Sequence, residues 1–335
     1  MRYYIQHGAG LGALVIAALK SDFPDVKVSY QDDSSLVIET PPMDRQIVKL
    51  SYVKNSFRVV ASVSRGSLIG SVQHLTKLME KSRSLENEPR GRTFRVMAHV
   101  DGELVGLPQD TRSRLVSVIA RHTAGHFNPR GGLGAEYWVI GRRESDVLMF
   151  GVRLTMASKK GVARGALASD LSTLLVKASD PQSSDVFLDP FAGSGALVAA
   201  RIQTPFTRAI YSDIRLGELR SALPGSLLRR NDISVLNENA LTLSSISTGE
   251  IDSIVTDPPW GEYEDLGIPY DEFASRMVKS LDRVLDARHG RLVMLLSRRT
   301  APAVASRLER AQIHLRESHN ILLNGHPATV VVGTR

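Results

Sequence analysis

Val186-Phe187-Leu188-Asp189-Pro190-Phe191-Ala192-Gly193-Ser194-Gly195 is the stretch on which the fold turns. Val186–Asp189 reads as a buried strand, the glycines mark a tight turn, and Ala196–Ile202 reads as a helix. Strand, glycine turn and helix N-terminus are the parts of a nucleotide-cofactor site, because glycine lets the backbone approach a ligand where a Cβ would block it. A Gly-Ser-Gly alone is common; its continuation narrows the reading. A second strand, Ala209–Tyr211, leads to Asp213, about twenty residues on, where a carboxylate can accept from both hydroxyls of a ribose. A third strand ends near Asn239-Ala240, where an Asn carbonyl and the adjacent backbone can meet an adenine amino group. The candidate cofactor-binding residues are therefore Asp189, Phe191, Gly193, Ser194, Gly195, Asp213, Asn239 and Ala240.

Strand and helix keep alternating downstream. Further strands are predicted at Ile233–Leu236, Asp252–Asp257, Arg291–Leu296, Leu315–Leu322 and Ala328–Val332. Seven strands with helices between them predict an α/β, doubly wound sheet over residues 157–335, opened by a helix at Ala166–Lys177. The fourth strand ends in Asp257-Pro258-Pro259-Trp260-Gly261. That turn suits methylation of an exocyclic base amine. The nitrogen lone pair is delocalised into the ring, so two acceptors must hold the N–H groups while the nitrogen pyramidalises. Asp257 and a backbone carbonyl stiffened by Pro258 and Pro259 supply them, and Trp260 can stack on the extruded base. No strong base is required, since the proton can leave once the nitrogen is cationic.

Upstream, residues 1–65 read β-α-β-β-α: a strand Arg2–His7, a helix Leu11–Lys20, a hairpin of Val26–Tyr30 and Leu36–Glu39, then a segment to about Val63 with partly helical spacing. Residues 66–156 read as a second small α/β domain, with helices at Ser71–Met79 and Asp110–Thr123 and strands at Thr93–Val100, Tyr137–Ile140 and Val147–Leu154. A chain of 335 residues accommodates such a multidomain plan. The apolar run Leu11–Leu19 is too short to span a membrane and lacks the flanks of a signal peptide, which predicts a folded helix in a cytoplasmic protein. The absence of cysteine excludes disulfides, thiolate–zinc sites and cysteine nucleophiles. The net charge is +7, and nine Lys/Arg against three Glu between Lys54 and Arg95 nearly account for it. Arg83, Arg90, Arg92 and Arg95 are candidates for phosphate contacts.

Three other patterns compete for attention. Gly8-Ala9-Gly10-Leu11-Gly12-Ala13 fits a dinucleotide fingerprint, but a hairpin rather than a second βα unit follows it, so a close backbone turn within the small domain is expected. His122 and His126 have helical spacing, with Gly125 between them and no third ligand, so no metal site is expected. Arg298-Arg299 reads equally as a phosphate contact or a plain loop.

The pair Asp189-Pro-Phe-Ala-Gly-Ser-Gly195 and Asp257-Pro-Pro-Trp-Gly261 resembles the amino-methyltransferases of the Rossmann-fold superfamily. The whole chain is similar to one branch, the THUMP-domain RNA methyltransferases, which include the tRNA guanine-N2 enzymes. That resemblance implies a ferredoxin-like domain at 1–65, a THUMP domain at 66–156 that grips the acceptor end of tRNA, and a methyltransferase domain at 157–335. It implies S-adenosylmethionine as cofactor, held by Phe191, Gly193, Ser194, Gly195 and Asp213, and a target amine held by Asp257, Pro258 and Trp260. Ala192, Ala196, Asn239 and Trp260 depart from residues common in the family. Adenine-N6 enzymes acting on RNA or DNA share the Asp-Pro-Pro-Trp turn, but there it commonly precedes the donor motif; the order here favours guanine. A non-catalytic RNA-binding protein is the third reading, against which both intact motifs argue. A structured RNA partner is expected, with no membrane; monomer and homodimer remain equally open.

Overall fold

Short apolar runs between turn residues become the central strands of two sheets. The computed structural model describes residues 1–82, 85–86, 88, 90–130, 134–154, 167–223, 225–262, 264–323 and 325–335. Arg83 and residues 155–166, which include the connector that opens the third predicted domain and the first residue of its predicted helix, lie outside them. The chain forms two compact units: Met1–His7 with Asp25–Ser158, and Gly8–Pro24 with Lys159–Arg335.

The first unit carries β1 (Arg2–Gln6), β2 (Lys27–Gln31), β3 (Ser35–Glu39), β4 (Asn55–Ser64), β5 (Thr93–Val100), β6 (Glu103–Leu104), β7 (His126–Phe127), β8 (Ala135–Gly141) and β9 (Val147–Arg153). They lie in one sheet in the order β2-β3-β1-β4-β9-β8-β5-β6, with β7 beside β5. The sheet runs unbroken past residue 65, because β4 pairs with β1 on one side and β9 on the other. Helices Leu68–Lys81 and Gln109–Thr123 bury Val72, Leu75, Met79, Leu115, Val118 and Ile119 in a common core with Phe94, Tyr137, Val139 and Phe150. Ser67 caps the first of these helices by accepting from Gly70 N–H.

The segment expected to be partly helical before Val63 is instead the ten-residue strand β4, preceded by a short helix, Asp44–Ile47. Phe57, Val60 and Ala61 imitate helical spacing because a bulge between Val59 and Ala61 shifts the alternation. The helix Gln109–Thr123 ends at Ala124 in the left-handed region, and His126 lies on β7, so His122 and His126 do not share a helix face. Among the described residues no cluster of His, Asp and Glu could hold a metal ion, and no helix is long and apolar enough to cross a membrane.

The second unit carries β10 (Val186–Asp189), β11 (Arg208–Ser212), β12 (Ile233–Leu236), β13 (Ser253–Thr256), β14 (Arg291–Ser297), β15 (His314–Leu323) and β16 (His326–Thr334). Their order is β12-β11-β10-β13-β14-β16-β15, parallel except that β16 runs antiparallel to both neighbours. These are the seven predicted strands, with ends shifted by a few residues. The chain leaves β10 for β11 on one side and later returns to β13 on the other. That reversal opens a crevice at the C-terminal ends of β10, β11 and β13.

The helix Gly12–Asp22, expected in the first domain, belongs to this second unit. Lys177 donates to Asp22 at 2.5 Å. Gly10, at φ +75°, sits where a Cβ would meet Asn320 O at 2.9 Å and Ile321 Cα at 3.0 Å on β15. The glycine-rich turn is thus a close backbone approach, made against β15 rather than inside the small domain. Gly10→Val combines a strained φ with a backbone clash and is expected to cost about 2 to 3 kcal/mol. Urea unfolding measures it; an unchanged midpoint would show that the turn does not rest on β15.

Candidate active site

Three strand ends build the site. Asp189 closes β10 and is 1% exposed; its Oδ1 accepts from Thr256 Oγ1 at 3.0 Å and from Phe191 N at 3.3 Å. Burial pushes its carboxyl up to about 8, against those two donors and with the charges of Asp257 and Asp213 adding to the rise. Gly193 (φ +48°) and Gly195 (φ +77°) both adopt the left-handed backbone that suits glycine. Gly195 N donates to Ala192 O at 2.7 Å and Tyr211 Oη donates to Gly193 O at 2.6 Å, so the loop is fixed from both sides.

Asp213, beyond β11, accepts from Gly193 N through Oδ2 at 2.9 Å and from Arg215 N through Oδ1 at 2.8 Å. The acid predicted for a ribose therefore also fastens the glycine loop. Asn239 Oδ1 accepts from Leu241 N at 2.9 Å, a local turn; the predicted adenine acceptor already has a backbone donor. Ala240, next to it, is buried in the wall of the cleft.

Asp257 follows β13. Trp260 Nε1 donates to its Oδ1 at 3.1 Å, and among the described residues Oδ2 has no hydrogen-bond partner. The prolines and the bond from Trp260 close the turn on itself, which sequence reasoning, reserving Trp260 for stacking, did not foresee. Burial lifts the Asp257 carboxyl to about 7; the Trp260 N–H opposes the rise and the charge of Glu264 adds to it. Gly261, at φ +67°, lies against the Tyr270 ring, and Glu262 Oε1 accepts from Ser297 Oγ and, at 3.1 Å, from Arg299 Nε. Arg298 donates to Ile321 O at 3.2 Å. Arg299 thus braces the loop after the turn, while Arg298 ties the end of β14 to β15.

These pieces line one cavity of about 670 Å³, which gathers Asp189, Phe191, Gly193, Ser194, Asp213, Asn239, Ala240, Asp257, Pro258, Pro259 and Trp260. Gly195 stands behind it, where a Cβ would meet Leu227 at 2.8 Å. The same cavity is lined by Ile214, Arg215, Leu241, Glu264, Leu266, Phe273 and His326, none of which the sequence singled out. Ile214 is 63% exposed, an apolar surface beside Asp213 with no sequence signal beyond its position after the acid.

The residues present fit S-adenosylmethionine. A Cβ on Gly193 would enter space in which the nearest atom is Phe191 O at 3.9 Å, so the loop leaves a cradle that only glycine keeps open. Asp213 offers acceptors beside it, and Ile214 and Leu241 offer apolar walls.

In the first unit, Arg90 and Arg92 are exposed. Arg95 is half-buried and paired with Glu136, which also accepts from Arg153 at 2.9 Å and from Trp138 Nε1 at 3.0 Å. Its guanidinium is committed inside the sheet.

Residues 228–327 match the family model described as RMKL-like, methyltransferase domain. No curated protein matches the sequence. Among solved structures, TrmN from Thermus thermophilus superposes with a TM-score of 0.73 at 21% identity, covering 100% of this chain and 99% of that one. SMU.472, solved with SAH, gives 0.64 at 9% identity over 99% and 97% of the chains. A Listeria monocytogenes protein described as a predicted N6-adenine-specific DNA methylase gives 0.64 at 13% identity over 99% and 95%. Fold and cleft define the class: the second unit is a methyltransferase domain of the S-adenosylmethionine-dependent type. In fold the chain is similar to TrmN over its full length.

Proposed function

We propose that the protein transfers a methyl group to the N2 amine of a guanine in tRNA, in the cytoplasm. The observation that carries this reading is Asp257: one oxygen is tied to Trp260, the other lacks a partner among the described residues, and the carboxylate shares a cavity with the Gly193 loop. Bound S-adenosylmethionine supplies an electrophilic methyl group. Asp257 Oδ2 and the Pro258 carbonyl accept the two amine N–H groups and hold the nitrogen for attack. Trp260 stacks on the base, and its hydrogen bond to Oδ1 keeps the acceptor from turning away. A carboxyl lifted to about 7 can then take up the proton released.

Guanine is supported by the order of the two motifs, and tRNA by the full-length likeness to TrmN. The proposal includes the domain assignment, less the Gly8–Pro24 segment that joins the second unit: a ferredoxin-like part within 1–65 and a THUMP part at 66–156 that together grip the RNA, with Arg90 and Arg92 as exposed cations. Structured RNA is recognised chiefly through shape and phosphates. Reversing both charges, Arg90→Glu with Arg92→Glu, is expected to weaken tRNA binding and to lower the log–log salt slope by about two. An unchanged slope would make that stretch a solvated surface only.

The test of the substrate class is a competition among unfractionated tRNA, ribosomal RNA and genomic DNA for label from methyl-labelled donor. Label in tRNA supports the proposal. Label confined to DNA overturns it and leaves the adenine-N6 reading; donor binding without transfer to any pool leaves the non-catalytic one.

A further inference from the structure

Five carboxylates line the cleft: Asp189, Asp213, Asp257, Glu264 and Asp265. Four of them have hydrogen-bond donors within the protein. Asp189 and Asp213 hold backbone N–H groups, Asp257 Oδ1 accepts from Trp260, and Asp265 Oδ1 accepts from Gly267 N at 2.9 Å in a local turn. Glu264 is the exception: among the described residues it has neither a hydrogen bond nor an ion pair. Its segment is anchored nonetheless. Three residues earlier Gly261 lies against the Tyr270 ring, and two residues earlier Glu262 binds Ser297 and Arg299. Glu264 is therefore a carboxylate held on a braced loop, close enough to Asp257 to raise its pKa.

The bases with an exocyclic amine differ in what flanks it. In guanine the 2-amine stands beside N1–H, another donor on the same edge. In adenine the 6-amine stands between the acceptors N1 and N7. In cytosine the 4-amine stands beside the acceptor N3. Two neighbouring carboxylates match a contiguous pair of donors and oppose an acceptor, which would leave a desolvated carboxylate facing a lone pair. We propose that Glu264 reads the guanine N1–H while Asp257 holds the 2-amine, so that the paired acids select guanine. This rests on the guanine-N2 reading and assigns the residue that enforces it.

The test uses Glu264→Gln and tRNA assembled by ligation with guanine or 2-aminopurine at the position that the wild type methylates. 2-Aminopurine keeps the 2-amine but presents an acceptor at N1. The wild type is expected to favour guanine in kcat/KM by at least about tenfold, the discrimination of a good edge contact. A glutamine can offer either an acceptor or a donor, so Glu264→Gln is expected to bring the ratio towards one. Binding of S-adenosylhomocysteine to the variant, measured by calorimetry, checks that the cleft is intact. A variant that binds it normally and keeps the wild-type ratio overturns the role of Glu264 and leaves the guanine reading standing. A wild type that produces only N6-methyladenosine overturns the guanine reading, and this inference with it.

Discussion

Asp257→Asn lowers the single-turnover rate of methyl transfer by about a hundredfold to a thousandfold, with affinity for S-adenosylmethionine unchanged: this is the expected result for the residue at the centre of the site. The substitution preserves volume and changes only what the side chain offers. If Asn keeps its carbonyl on the Trp260 N–H, its NH₂ faces the amine hydrogens of the target, donor against donor. If it turns round, the indole N–H loses its acceptor. The first arrangement removes one of the two acceptors that shape the nitrogen; the second keeps an acceptor there but sets NH₂ against the indole N–H and loses the bond that holds the side chain in place.

The pH profile gives an independent check. The carboxyl is raised to about 7, chiefly by burial, so the carboxylate form is depleted below that pH. The wild-type rate should fall roughly tenfold per unit below about 7 and level off above it. The Asn variant should lack that limb. A variant with wild-type turnover, or a wild-type rate flat from pH 5 to 8, would remove Asp257 from the chemistry.

Arg201→Met should be the most destabilising single change in the second unit away from the cleft. Its side chain is fully buried, at 0% exposure. It donates to Thr204 Oγ1 at 2.9 Å, Pro205 O at 3.0 Å, Gln182 O at 2.7 Å and Asp185 Oδ2 at 3.1 Å. It also lies 5.5 Å from the Phe206 ring centroid. Asp185, just ahead of β10, is shared with Arg291. Methionine fills the volume but leaves these acceptors, Thr204 O at 3.3 Å with them, and part of a buried carboxylate without their donor. Breaking a buried pair from one side costs about 3 to 5 kcal/mol. In a unit of this size that is a fall in Tm of roughly 10 °C. Donor binding per folded molecule should not change, because this network sits at the opposite end of β10 from the glycine loop. A loss below about 1 kcal/mol would mean that Arg291 alone satisfies Asp185.

Much of this was legible beforehand, for identifiable reasons. Central parallel strands are short, mostly apolar and bounded by turn residues, so β10 to β14 stand out. The glycine loop and the Asp-Pro-Pro-Trp turn are readable because glycine and proline have backbone reasons for their positions. The bulged β4 was not readable, because one extra residue turns strand alternation into apparent helical spacing. Nor was the allegiance of the Gly12–Asp22 helix, since chain proximity does not say which sheet a helix covers. Arg95 looked like a free cation because Glu136, its partner, is 41 residues away. Ile214 and Glu264 carry no motif; their place in the cleft is a property of the folded wall.

The central claim is the identity of the methylated atom, and one measurement addresses it: incubate unmodified tRNA with the protein and methyl-labelled S-adenosylmethionine, digest to nucleosides, and identify the labelled product by mass spectrometry. The account predicts N2-methylguanosine, absent when Asp257→Asn replaces the wild type. N6-methyladenosine, or label that persists in the Asp257→Asn reaction, would contradict it.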